Sequence, residues 1–122
     1  MTMQELEARI AVLEDIEQIN DLMSTYTYLI DNIVSGTIIW SAHMLLNPLV
    51  NVEGDKAKGT FYLFGPATVP SPEGEKAIWV QGRYDNEFVK KSGKWRFSLL
   101  RFAFTFMTPY EEGWVKSKMM GG

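Results

Sequence analysis

No cysteine occurs in this 122-residue chain, and histidine occurs once, at position 43. The first absence removes disulfide staples, thiolate nucleophiles and cysteine ligands, and one imidazole falls short of the usual ligand sets of zinc. Strong charge of one sign is missing as well. Twelve lysines and arginines stand against 15 acids, for a net charge of −3, and the bases are scattered rather than massed. That distribution argues against nucleic acid as a partner. Apolar runs are strand-sized and broken by charge, well short of the ~20 residues of a membrane helix. The chain begins Met1-Thr2-Met3-Gln4-Glu5-Leu6-Glu7, with acids where a secretory leader is basic. The expectation is a cytoplasmic protein without membrane contact.

What is present suits one folded domain, residues 1–122, with 46% hydrophobic residues and room for one real core. Thr2 and Glu5 have the spacing of a capping box, so a helix is expected over residues 1–31. Leu6, Ile10, Leu13, Ile16, Ile19, Leu22, Met23 and Tyr26 follow at steps of three and four, which predicts one apolar face against a mostly acidic one. The charged first turns could overhang the domain and meet a partner.

The pattern then turns to strands over residues 38–107. Ile38 to Val52 is rich in β-branched and aromatic residues, Glu53-Gly54-Asp55 has turn chemistry, and Lys56 to Phe64 alternates. Ala57, Gly59, Phe61 and Leu63 share one face of that strand, and Lys56, Lys58, Thr60 and Tyr62 share the other. A loop with Pro66, Pro70, Pro72 and Gly74 is expected next, then a hairpin of Lys76–Lys90 and Trp95–Met107 joined at Lys91-Ser92-Gly93-Lys94. Gly59, Gly65 and Gly82 are natural bending points in strands this long. The fold class is therefore α+β: a cone-like, curved antiparallel sheet of at least four long strands packed on a long N-terminal helix. Residues 108–122 read as a tail, loose at its glycine end.

His43 heads the first long strand, twelve residues beyond Asp31, which closes a helix also bearing Tyr26 and Tyr28. Histidine titrates near neutral pH, and a carboxylate can hold its ring in one tautomer, so this grouping suits a general base. An ordinary half-buried strand histidine has the same spacing. Tyr26 is equally an aromatic on the apolar helix face, and Asp31 a polar helix end.

Three stretches of this chain resemble the SnoaL-like branch of the nuclear transport factor-2-like superfamily. They are the helix Leu13 to Asp31, the run from His43 through Gly59-Thr60-Phe61-Tyr62-Leu63, and Gly82 to Val89 followed by Gly93-Lys94-Trp95-Arg96-Phe97. The branch includes bile acid dehydratases, scytalone dehydratase and a hexachlorocyclohexane dehydrochlorinase. The resemblance implies a strand-head histidine acting as base, a helix-end aspartate orienting it, and a tyrosine touching substrate. Those positions correspond to His43, Asp31 and Tyr26 here. It also implies an apolar cyclic substrate, no metal or organic cofactor, and lining by Tyr28, Phe61, Trp79, Phe102 and Phe104.

Two departures accompany the resemblance. The acid and arginine that bile acid dehydratases place after the first long strand and late in the last have Phe64-Gly65-Pro66 and Phe104 in their neighbourhoods. Arg101 and Arg83 could each supply a cation instead, although alternation makes Arg83 a solvent-face partner of Asp85 and Glu87. Only residues 32–42 lie between Asp31 and His43, where the family carries further helices and a strand, so a more open cone is expected. Two functions follow: a small-molecule lyase or isomerase of dehydratase or dehydrohalogenase type, or a non-catalytic module of the same fold for apolar-ligand binding or dimerisation. Phe61, Trp79, Trp95, Phe97, Phe102, Phe104 and Phe106 exceed what core filling uses, which predicts a homodimer or larger homo-oligomer through sheet faces related by a two-fold axis.

Overall fold

Thr2 starts the helix as its spacing requires. In the computed structural model, which describes residues 1–32 and 38–120, the Glu5 N–H donates to the Thr2 hydroxyl at 3.0 Å. The Thr2 N–H returns a bond to the Glu5 carboxylate at 3.0 Å. This helix, α1, runs Met3–Asn32. Its apolar stripe divides in two. Asp15, Ile19, Met23 and Thr27 recur every fourth residue and are buried on the sheet. Leu6, Ile10 and Leu13 are 43%, 46% and 65% exposed, on turns where every residue through Glu14 is exposed. The cause is angular: at ~100° per residue each step of three falls about 60° short of a full turn, so the stripe winds around the helix. No helix among the described residues is long and apolar enough to cross a membrane.

Among the described residues, six antiparallel strands form one curled sheet of four rows. They are β1 (Trp40–Ser41), β2 (Met44–Glu53), β3 (Lys56–Ser71), β4 (Gly74–Lys91), β5 (Lys94–Leu99) and β6 (Phe102–Pro109). β1 and β2 share one edge of β3, β3 pairs with β4, and β5 and β6 share the far edge of β4. Ser92 and Gly93 take φ of 51° and 76° in the β4–β5 turn, the left-handed pair that suits a two-residue hairpin. Asn47, at φ 49°, sits in the β2 bulge between Leu46 and Leu49.

Two expectations need correction. Pro66 and Pro70, read as loop residues, lie inside β3 opposite Trp79 and Glu75. The Pro66 carbonyl accepts from the Ala42 N–H at 3.1 Å, so the donor it lacks faces the β1–β2 row, which is interrupted at Ala42 and His43. Pro70 lies on the same side beyond Trp40, where β1 has ended. Neither proline breaks a ladder bond. The stretch Trp95–Met107, expected as one strand, is two. Leu100 and Arg101 separate them, and the buried Asn86 carboxamide fills the gap by accepting from the Arg101 N–H at 3.0 Å.

The core lies between the C-terminal half of α1 and the inner sheet face. Ile19 and Met23 meet Phe61, Leu63, Phe88 and Trp95, each worth about 1.5–3 kcal/mol when fully buried. Up to Met120 the tail stays beside the sheet, with Met119 bridged to Met107 of β6. The Met107 N–H donates to the Lys118 carbonyl at 2.8 Å, and the Met120 N–H to the Met107 carbonyl at 2.9 Å, so the chain returns along β6. Gly121 and Gly122, read as the loose end, lie outside the described residues.

Candidate functional site

Strand alternation places Leu63, Gly65, Ala67 and Val69 of β3 and Ile78 and Val80 of β4 on the same inner face as Phe61, Tyr84 and Phe88. The helix covers the Phe61–Phe88 end of this face. The other end holds a cavity of about 340 Å³, walled by Leu63, Val69, Val80, Phe104 and Met107, with Ser41 and His43 among its residues. A larger hollow of about 880 Å³ lies by the β2–β3 and β4–β5 turns. Its walls carry Glu53, Lys56, Lys58, Glu87 and Lys91 and none of the sequence-predicted site residues, which marks it as a charged surface groove.

Asp31 sits in the last turn of α1, the negative end of the helix dipole, where a carboxylate needs donors. It has them. The His43 N–H donates to Oδ1 at 3.0 Å and lies 3.3 Å from Oδ2, the Ser41 hydroxyl reaches Oδ1 at 3.5 Å, and His43 Nδ1 lies 2.5 Å from Oδ1. The ring contact requires a proton on Nδ1, because an ionised carboxylate only accepts. Nε2 is then the ring nitrogen left for a ligand. Side-chain exposures of 21% for His43 and 25% for Asp31 keep the pair accessible without flooding it.

The segment holding His43 seats on Gly65. A Cβ at that glycine would lie 1.7 Å from the Ala42 carbonyl oxygen and 3.8 Å from His43 Cα. Glycine is used here for close approach, letting Ala42 and His43 cross the sheet at the point where β1 gives way to β2.

The other predicted site residues scatter. Phe104, 51% exposed, lines the cavity. Phe61 is 2% exposed and packs edge-on to Phe88 in the core, and Phe102 lies against Tyr84 with ring centroids 4.7 Å apart. Trp79 stacks on Phe64 at 5.2 Å on the opposite sheet face, as its position between Ile78 and Val80 dictates. Tyr28 is 72% exposed on α1. Tyr26 packs edge-on to Tyr84 and Phe97; burial foremost, with the neighbouring Tyr26 hydroxyl adding, pushes Tyr84 up to about 12. Tyr26, expected to touch substrate, packs here against the aromatic core. Arg83 donates to Asp85 at 2.8 Å, as its strand position suggested.

Sequence reasoning missed Ser41, Met107 and Met120 in the cavity wall, although alternation continued past Pro66 would have extended that wall to Val69. It also missed a trio centred on the buried Asp15. Trp95 Nε1–H and Lys90 Nζ both donate to Asp15 Oδ1, at 2.9 and 3.0 Å. Asp15 stands four residues before Ile19 and eight before Met23, and that spacing was the available signal. Burial works to raise its pKa, but the bonds from Trp95 and Lys90 and the Lys90 charge outweigh it, so the carboxyl titrates below its ordinary value. A depressed carboxylate contributes stability that is full above its unfolded pKa of ~3.9 and lost as pH falls through the folded value. Asp15→Ala should therefore cost about 1–3 kcal/mol at neutral pH, mostly for the orphaned Trp95 N–H; Lys90, 30% exposed, can turn to water. Chemical denaturation of both proteins at pH 7 and pH 3 should show the gap narrowing in acid.

Residues 34–101 match the family model described as SnoaL-like domain. Among solved structures, the chain is similar to a hexachlorocyclohexane dehydrochlorinase, LinA type 2, at 25% identity and TM-score 0.56, covering 64% of this chain and 52% of that one. The Kfla4162 protein of Kribbella flavida aligns at 23% identity and TM-score 0.53, covering 59% and 51%. A candidate aromatic ring hydroxylase from Novosphingobium aromaticivorans aligns at 20% and TM-score 0.65, covering 80% and 94%. This chain spans about half the length of the first two. The Kribbella and Novosphingobium likenesses establish the fold. No curated protein matches the sequence.

Proposed function

The chain belongs to the SnoaL-like domain family of the nuclear transport factor-2-like superfamily, and we propose that it is a cofactor-independent lyase or isomerase acting on an apolar cyclic substrate. The observation that carries this reading is the 2.5 Å contact of His43 Nδ1 with Asp31 at the wall of an apolar cavity. With Nδ1 held by the carboxylate, Nε2 removes a proton from a carbon next to an electron-withdrawing group, and Asp31 stabilises the imidazolium that forms. The C–H electron pair becomes the new carbon–carbon double bond as a carbon–halogen or carbon–oxygen bond breaks. A halide leaves as the anion; a hydroxyl leaves as water, taking the proton from the imidazolium. The walls supply apolar contact, and Ser41 adds a hydroxyl beside the pair.

The dehydrochlorinase likeness supports elimination as the chemistry, and a cavity of this size suits a ring-sized ligand. Two probes test the reading: hexachlorocyclohexane, followed by chloride release, and a cyclic β-hydroxy ketone, followed by enone absorbance. Elimination from either is the expected result. Binding of both probes without release of chloride or enone would favour the non-catalytic ligand-binding module instead.

A further inference from the structure

The first turns of α1 carry an apolar seam that the domain does not use. Met3, Leu6, Ile10 and Leu13 are 70%, 43%, 46% and 65% exposed. Their spacing of three, four and three is the a and d pattern of two heptads. At ~100° per residue the seam lies about 140° around the helix from Asp15, Ile19, Met23 and Thr27, which face the sheet. It points away from the domain, so a helix docked there would not meet the sheet.

We infer that this seam pairs with the same seam of a second copy, in a parallel two-stranded coil. With Met3 and Ile10 at a positions, Glu7 and Glu14 fall at e and Thr2 and Arg9 at g. Parallel pairing sets Arg9 of one copy beside Glu14 of the other, an attractive g-to-e contact. Antiparallel pairing would set Glu7 against its own counterpart and Arg9 against its own. Charge complementarity thus selects both the partner and its direction. Among the described residues of one copy, Arg9 reaches only a weak acceptor, Met1 Sδ at 3.7 Å, which a carboxylate readily replaces. Two heptads are short for a free coil, but this helix is held on the sheet from Asp15 onward and capped at Thr2, so it associates as a preformed element.

The absence of cysteine makes the test direct. In the full chain, Ile10→Cys should oxidise to a disulfide-linked dimer, because only a parallel, in-register pair brings two such Cα atoms within the ~7 Å a disulfide spans. The double variant Leu6→Glu/Ile10→Glu should halve the mass seen by sedimentation velocity, with helix content by circular dichroism unchanged since glutamate is a good helix former. An unchanged mass in the double variant, or a wild-type chain that sediments as a monomer, would overturn the proposal. Cross-linking of Met3→Cys chains to Leu13→Cys chains, in place of like residues to each other, would overturn the parallel arrangement.

Discussion

Replacing His43 by alanine should lower elimination by about 10²–10⁴-fold, the usual contribution of a positioned general base, while the Kd for an apolar ligand stays within a few-fold. The separation follows from the site's construction. On the proposed reading, ligand contact would come from Leu63, Val69, Val80, Phe104 and Met107 of the cavity wall, none of which depends on the imidazole, whereas proton removal would fall to His43. Asp31→Asn should lose turnover comparably despite its matched shape, because a carboxamide neither requires the proton on Nδ1 nor stabilises an imidazolium. Steady-state rates with tryptophan-fluorescence binding on the same preparations separate the two terms. Full turnover in His43→Ala would move the chemistry to another group.

Gly65→Ala should lower activity by a different route. A methyl group 1.7 Å from the Ala42 carbonyl oxygen cannot be absorbed by a side-chain rotation, since the obstacle is backbone. The β1–β2 junction must lift, at the upper end of the roughly 1–3 kcal/mol typical of overpacking. Lifting it takes His43 away from Asp31, so activity should fall with stability even though no catalytic group has changed. Denaturant unfolding combined with turnover measures both. Gly54→Ala is the informative contrast: that glycine, at φ 62°, has open space around it in a turn remote from the cavity wall, so the change should strain the turn and spare turnover. A Gly65→Ala protein with wild-type stability and rate would show that Ala42 and His43 do not rest on the sheet there.

The helix start, the turns at Gly54 and Gly93 and the α+β class were legible because each depends on local chemistry: a capping pair, a left-handed glycine, a change of period from 3.6 to 2. The approach of Asp31 to His43 was also legible, since the residues between them can connect a helix end to a strand start. What escaped the sequence depended on neighbours. Pro66 and Pro70 read as loop because a proline's missing donor matters only if a partner strand needs it, and that side of β3 is interrupted. Tyr28, Phe61, Trp79, Phe102 and Phe104 all read as lining. Which of them lines the cavity is set by strand parity and by how far α1 reaches, leaving Phe104 in the wall, Phe61 in the core and Trp79 on the far face. Asp15 was overlooked because its partners, Lys90 and Trp95, lie 75 and 80 residues away.

The most direct test of the central claim, that Asp31 sets His43 up as a base toward the cavity, is a long-range ¹H–¹⁵N spectrum of the single imidazole in mildly alkaline buffer. The expected spectrum shows the proton on Nδ1 and Nε2 bare in the wild type, with a change toward the Nε2–H form in Asp31→Ala. A proton on Nε2 in both proteins would contradict it, since the nitrogen facing the ligand would then already be occupied and Asp31 would not be directing the ring.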